Sequence, residues 1–197
     1  SDLLSECSEL DIILELEIGI VGGGEDAMDH EDIDRDKLYT SPEDMMRTAE
    51  VLGTGDRGTY LLAAVFGNVH GVYKPGSVQL RPTILRDGQT ATEEKFDGFR
   101  HLLVFHGGSG STLGEVHETL GYGVVKMNID TDCQYAFSRP IVDHMLTNYA
   151  GVLKVDGEVG DKKVYDPRSY MKKAEGGMAE RVTQACTALK SEGRKLG

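Results

Sequence analysis

Three cysteines in 197 residues, Cys7, Cys133 and Cys186, are too few and too scattered for a disulfide framework. Their odd number, and the lack of any CxxC or finger spacing, point to a reducing, cytoplasmic setting. Positive charge is scarce as well. Against 33 Asp and Glu stand 21 Lys and Arg, for a net charge of −12. That balance argues against a nucleic-acid or anionic-membrane partner. It leaves room for an anionic small molecule, because a local cluster overrides the global field, and Lys74, Lys126 and Arg181 are candidates for one. No apolar run is long enough to span a bilayer, and no leader-like segment stands at the start. No internal repeat or low-complexity linker interrupts the chain. One domain over residues 1–197 is expected, with enough length for a real core. The first residue is Ser1 and not Met, so a processed, truncated or partial chain is also expected.

What is present is an alternation of strand and helix signals. A helix end over Asp2–Leu10 precedes the β-rich run Ile12–Ile18, then a glycine loop from Gly22 to Asp26 and an acidic surface loop to Asp36. Ser41-Pro42-Glu43-Asp44 predicts a helix start: an N-cap serine, a first-turn proline, then acids at the positive dipole end. That helix should run to Leu52 and stop at Gly53. Strands are expected over Leu61–Phe66, Leu102–Phe105 and Val124–Ile129. Helices are expected from Arg81, through Leu113, Val116 and Leu120 to Gly121, over Tyr135–Asn148 and over Gly177–Ser191. The strands are apolar on both faces, which suits a parallel sheet covered by helices. Four strands fall short of the eight of a closed barrel and would leave two apolar edges open. By pattern alone, half of a barrel and an open α/β sheet both remain.

Two histidines end apolar runs and are each followed by glycine: FGNVHG from Phe66 to Gly71, and VFHGGSGS from Val104 to Ser111. Imidazoles at strand ends can hold a metal, and glycines just beyond let backbone N–H groups close on a phosphate. Glu17, His70 and His106 arrive from three successive strand ends and could converge on one ion. A lone histidine is most simply a satisfied structural residue, but two in matching contexts favour ligands. His30, His101, His117 and His144 are expected in surface loops or helices with no such role. The Gly107–Ser111 loop is either a flexible turn or a phosphate cradle at the start of the next helix. Asn128, Asp130 and Thr131 either cap a helix or join the site.

Taken in order, LEIG from Leu16 with the glycine loop, FGNVHGVYKPG, FHGGSGS and VVKMNIDTD resemble one family across essentially the whole chain. It is the class II, zinc-dependent fructose-bisphosphate aldolases, in the longer class IIA form. The YDPR stretch from Tyr165 is similar to that family's C-terminal tail. The resemblance implies an α/β fold of the (β/α)8 TIM-barrel family, with this chain carrying about the last four βα units and a C-terminal helical extension. It implies His70 and His106 as zinc ligands, Glu17 as a carboxylate near the metal and Glu25 as the mobile-loop group that moves the proton. Gly71, Gly107, Gly108, Ser109, Asn128, Ile129, Asp130 and Thr131 then form the dihydroxyacetone phosphate site. Arg181 reaches a neighbouring subunit's phosphate. A monovalent cation (K+ or Na+) and a homodimer or larger assembly are implied too.

The chemistry agrees with that resemblance. Cleavage of fructose 1,6-bisphosphate leaves a carbanion on dihydroxyacetone phosphate, which zinc can stabilise as a Lewis acid while glycine N–H groups fix the phosphate. The sequence departs from the family at Gly24, where the first of two glutamates usually stands. It also lacks the first half of the family, with its further zinc histidine, aspartate acid and phosphate serine. The expected activity is therefore that of a glycolytic or gluconeogenic aldolase needing its N-terminal half. The alternatives are a tagatose-bisphosphate aldolase, or a non-catalytic half-barrel that binds zinc or phosphate and self-associates.

Overall fold

In a computed structural model the described residues are 2–19, 22–23, 39–70, 80–153 and 159–194, with Val69 and His70 described by backbone alone. Its contacts divide the chain into two compact units, 1–129 and 130–197. The first holds α1 (Asp2–Glu9), β1 (Leu14–Ile18), β2 (Gly22–Gly23), α2 (Pro42–Leu52), β3 (Tyr60–Ala64), β4 (Val69–His70), α3 (Thr83–Lys95), β5 (Leu102–Phe105), α4 (Leu113–Gly121) and β6 (Val124–Met127). Four strands form one sheet in the order β1-β3-β5-β6, every pair parallel. Gly22 and Gly23 pair with Val69 and His70 in a separate parallel ladder. The parallel sheet and helical connections are those expected from the apolar strand pattern.

Strand alternation decides which side chains enter the core. Leu62 and Ala64 of β3, Leu103 and Phe105 of β5 and Val124 of β6 cluster with Phe66, with Met45 of α2 and with Leu85 of α3. Leu16 and Ile18 of β1 pack against them. The Phe66 and Phe105 rings meet edge to face with centroids 4.7 Å apart. Burying each such ring is worth roughly 1.5–3 kcal/mol. Glu15 and Glu17 therefore project from the opposite face. Between β5 and β6 the register shifts. Leu103 pairs with Val124, but Val104 pairs with Lys126. The extra residue, Val125, lets Val124 stay in the core while Lys126 joins a row with Val104, Ala63 and Glu17.

Ser41 caps α2 through a reciprocal box with Asp44, Pro42 follows it, and Gly53 ends the helix at φ +87°, as the sequence predicts. His101 departs from its expected surface setting. It is 2% exposed, with Nε2 3.1 Å from the Met45 carbonyl. Its backbone is clamped by Gln89, which accepts from the His101 N–H and donates to the His101 carbonyl, both at 2.9 Å.

The second unit is helical: α5 (Thr131–Thr147), α6 (Tyr149–Val152), α7 (Lys162–Tyr165) and α8 (Pro167–Ala188). His144 is also buried and not at the surface. Its Nε2 lies 2.8 Å from the Val164 carbonyl, and Lys173 donates to Nδ1 at 3.2 Å. The YDPR stretch is a helix start. Asp166 caps α8 by accepting from the Arg168 N–H, and Pro167 takes the first turn. The Arg168 side chain and backbone N–H hold the Asp166 carboxyl down at about 2. Both long helices begin earlier than expected, at Thr131 and not Tyr135, and at Pro167 and not Gly177.

Candidate functional site

Strand β1 and the C-terminal end of β5 bring three predicted or neighbouring side chains together. His106 follows β5 directly, so alternation puts it on the face of Val104, opposite the Phe105 core. Its Nδ1 lies 2.7 Å from Glu17 Oε2, and its Nε2 lies 3.0 Å from Glu15 Oε1. These contacts reach over β3, where the small Ala63 stands in the row of Glu17 and Val104. The other Glu15 oxygen accepts from the Lys126 ammonium at 2.6 Å. Burial acts most strongly on the Glu15 carboxyl and would raise it. The hydrogen bonds and charges of Lys126 and His106 together outweigh burial and hold it below the usual glutamate value.

Sequence reasoning paired His106 with Glu17 but passed over Glu15. The available signal was the alternation LELEI, which puts residues 15 and 17 on one face. Lys126, read as an anion-cluster candidate, is bound to Glu15. An imidazole between two carboxylates is a donor set of the right chemistry for a divalent transition metal. Among the described residues, no group of three His, Cys, Asp or Glu is arranged to hold such an ion. The backbone of His70 lies in β4, and its side chain falls outside the described residues. Glu25, Gly71, Lys74 and His30 also lie outside them.

The loop after β5 is shaped by close approach. Gly107 and Gly110 have φ of +64° and +81°. A Cβ on Gly108 would collide with the Met127 side chain and come within 3.1 Å of the Asn128 carbonyl. That carbonyl accepts from the Gly108 N–H at 2.9 Å, and the Asn128 N–H donates to the Phe105 carbonyl at 2.9 Å. Gly107, Gly108, Ser109 and Asn128 are thus stitched into one patch beside His106. Buried Asn68 adds a second tie. Its amide donates to the His106 carbonyl at 3.0 Å, and its Oδ1 accepts from the Phe66 N–H.

The N-terminus of α4 is closed by its own box, in which Thr112 N–H donates to Glu115 at 2.8 Å. That box takes the N–H groups of Thr112 and Glu115 and sets the Glu115 carboxylate at the helix start, which favours the loop upstream of it for an anion. There the Ser111 hydroxyl oxygen is buried with no hydrogen-bond partner among the described residues. In a native protein a buried hydroxyl is normally hydrogen-bonded, to protein, to water or to a bound group. Asn68 and Ser111 were not singled out from sequence, although both lie inside the motifs.

Ile129 closes the first unit, and Asp130 and Thr131 open the second. Asp130 takes the N-cap position of α5 without a side-chain cap bond. Its carboxylate instead accepts from Gln134 Nε2 at 3.0 Å. Within the second unit Arg181 donates to Asp132 at 2.8 Å.

The model of the family described as fructose-bisphosphate aldolase class-II matches residues 1–194. Fructose-bisphosphate aldolase of Mycobacterium tuberculosis is 60% identical over 199 residues, covering 99% of this chain and 57% of its own length. That of Corynebacterium glutamicum is 57% identical over 197 residues, covering 98% of this chain and 57% of its own. The crystal structure of fructose-bisphosphate aldolase from Campylobacter jejuni superposes with a TM-score of 0.76 at 39% identity, covering 96% of this chain and 55% of that one. The chain thus spans somewhat over half the length of the relatives it matches.

Proposed function

The chain belongs to the class-II fructose-bisphosphate aldolase family, and from that premise we propose that it takes part in zinc-dependent, reversible cleavage of fructose 1,6-bisphosphate to dihydroxyacetone phosphate and glyceraldehyde 3-phosphate. The observation that carries this reading is His106 beside Glu17 at the strand ends, next to a glycine loop with a buried hydroxyl that has no partner among the described residues. The donor chemistry fits zinc, which would be held by His106 and His70 with Glu17 close by. When bound, the ion supplies positive charge against the electron pair left by carbon–carbon cleavage. Gly107, Gly108, Ser109 and Asn128 hold one phosphate, with Gly71, Ile129, Asp130 and Thr131 in the same role. Fixing that phosphate turns binding energy into orientation of the bond to be broken. Glu25 moves the proton at the reacting carbon. Arg181 serves the second phosphate, in a homodimer or larger assembly, and a monovalent cation sits near the phosphate loop. The pathway context is glycolysis and gluconeogenesis in the cytoplasm. No described helix is long and apolar enough to cross a membrane.

The test is cleavage of fructose 1,6-bisphosphate by the purified chain with zinc, alone and joined by the first segment of a full-length relative, each with and without chelator. Chelator-sensitive cleavage in either form supports the reading. A folded, joined chain that binds zinc yet leaves the sugar intact overturns it. Faster cleavage of tagatose 1,6-bisphosphate would transfer the assignment to that epimer.

A further inference from the structure

Within the helical unit, His144 and Lys173 form a pair that the proposed cleavage does not use. His144 of α5 is buried, and its ring packs against Tyr170 of α8 with centroids 5.7 Å apart. Its Nε2 lies 2.8 Å from the Val164 carbonyl. A carbonyl oxygen can accept and cannot donate, so Nε2 carries the proton and Nδ1 keeps its lone pair. That lone pair faces the Lys173 ammonium at 3.2 Å. The Val164 carbonyl is itself held, since the Ser169 hydroxyl also donates to it at 3.2 Å. Other lysines are held differently: Lys95 pairs with Glu50, and Lys126 with Glu15. A carboxylate partner favours the charged ammonium, which has no lone pair to attack with. Among the described residues, neither Lys173 nor His144 has a carboxylate partner.

A nucleophile within hydrogen-bond reach of a base, with that base oriented by a third group, is the arrangement that activates a side chain for covalent chemistry. We propose that Lys173 is an acylation site: with His144 as the base, its amine takes the acyl group of a small acyl phosphate. Lys173 is exposed, so such a donor reaches it from solvent. Helices α7 and α8 also carry Lys162, Lys163 and Lys172, which favour an anionic donor in a chain of net charge −12. His144 Nδ1 takes one proton from the ammonium, and the freed lone pair of Nζ bonds to the acyl carbon. The carbon–oxygen bond to phosphate then breaks, and the departing phosphate takes the electron pair and a second amine proton. The imidazolium returns its proton to water. The amide product keeps one N–H to donate to Nδ1, so the charge of Lys173 is lost while the contact between α5 and α8 stays.

The test incubates the whole chain with acetyl phosphate and follows each lysine by peptide mass spectrometry. Lys172, exposed one residue earlier on the same helix, is the comparison. Lys173 should be acetylated about 10²-fold faster, the lower end of what a positioned base contributes. His144→Gln, whose amide can donate to the Val164 carbonyl but offers no basic lone pair, should bring Lys173 down to the rate of Lys172. Equal rates at the two lysines in wild type overturn the proposal, as does a folded His144→Gln chain that keeps the fast rate. Where that variant does not fold, nitrogen NMR of the wild type with labelled histidine decides. The Nε2–H tautomer of His144, with Nδ1 bare, upholds its part as base, and an Nδ1–H form overturns it. None of these readouts involves the sugar, so they stand or fall apart from the aldolase reading.

Discussion

At the scale of single residues, His101 shows how a buried imidazole becomes a pH sensor of stability. Nε2 faces the Met45 carbonyl and so carries the proton, while Nδ1 faces the Tyr60 hydroxyl at 3.4 Å. That hydroxyl already donates to the Gly53 carbonyl at 3.0 Å. Burial pushes the His101 pKa down to about 4, only partly opposed by the Met45 hydrogen bond. Its ordinary value is 6.5, so the unfolded chain takes up the proton first. Stability is then full above pH 6.5 and falls as pH drops toward 4. The loss reaches about 3 kcal/mol at 1.36 kcal/mol per unit. Urea unfolding between pH 7.5 and 4.5 should show this decline in wild type and lack that component in His101→Gln. An identical pH slope in the variant would rule the histidine out. The sequence disclosed His101 as a histidine before an apolar run. Its burial could not be seen there, because it depends on Gln89 and Met45 arriving from two separate helices. Glu15 was obscured for a different reason. In LELEI it reads as one outward charge of an alternating strand, and only His106 and Lys126, 91 and 111 residues later, give it partners.

Elements were most legible where their own ends carry the signal. The α2 boundaries follow from Ser41, Pro42 and Gly53, because capping and a positive φ are local requirements. Removing such a local device should cost a local amount. Thr112→Ala, which opens the box with Glu115 at the start of α4, should lower stability by about 1 kcal/mol in urea titration. The start of α8 was misplaced because Gly176-Gly177 reads as a helix break. Both glycines lie inside the helix, and Gly177 is there for packing. A Cβ on it would collide with the Ala136 carbonyl of α5. Backbone cannot yield as a flexible side chain does. Gly177→Ala should therefore destabilise the helical unit by about 1–3 kcal/mol, despite alanine's better helix propensity. A more stable Gly177→Ala would mean that α5 and α8 have room to part. The expected range of α5 ran through Pro140 and missed only its first turn, which begins at Thr131. Tertiary contact sets the need for Gly177, and a local pattern does not contain it.

For the whole molecule, the deciding fact is that the parallel sheet has two ends among the described residues. β1 and β6 each have one neighbour there. Val125 of β6 and Ile12 and Ile13 just before β1 are each more than half exposed. Exposed apolar edges of a parallel sheet are unusual where nothing covers them. The relatives are longer by a segment that matches no part of this chain. If that segment supplies the facing strands, adding it should change edge exposure and chemistry together. In a co-purified pair of this chain and the first segment of the Corynebacterium glutamicum relative, hydrogen exchange at residues 14–18 and 124–127 should slow relative to the chain alone. The cleavage rate should rise by about 10²- to 10⁴-fold, the span that one acid–base group contributes. Slower exchange without a gain in rate would assign the edges to assembly and leave the missing chemistry elsewhere. A gain in rate with unchanged exchange would mean that the new groups enter from the loop side and that the four-stranded sheet keeps its edges to itself.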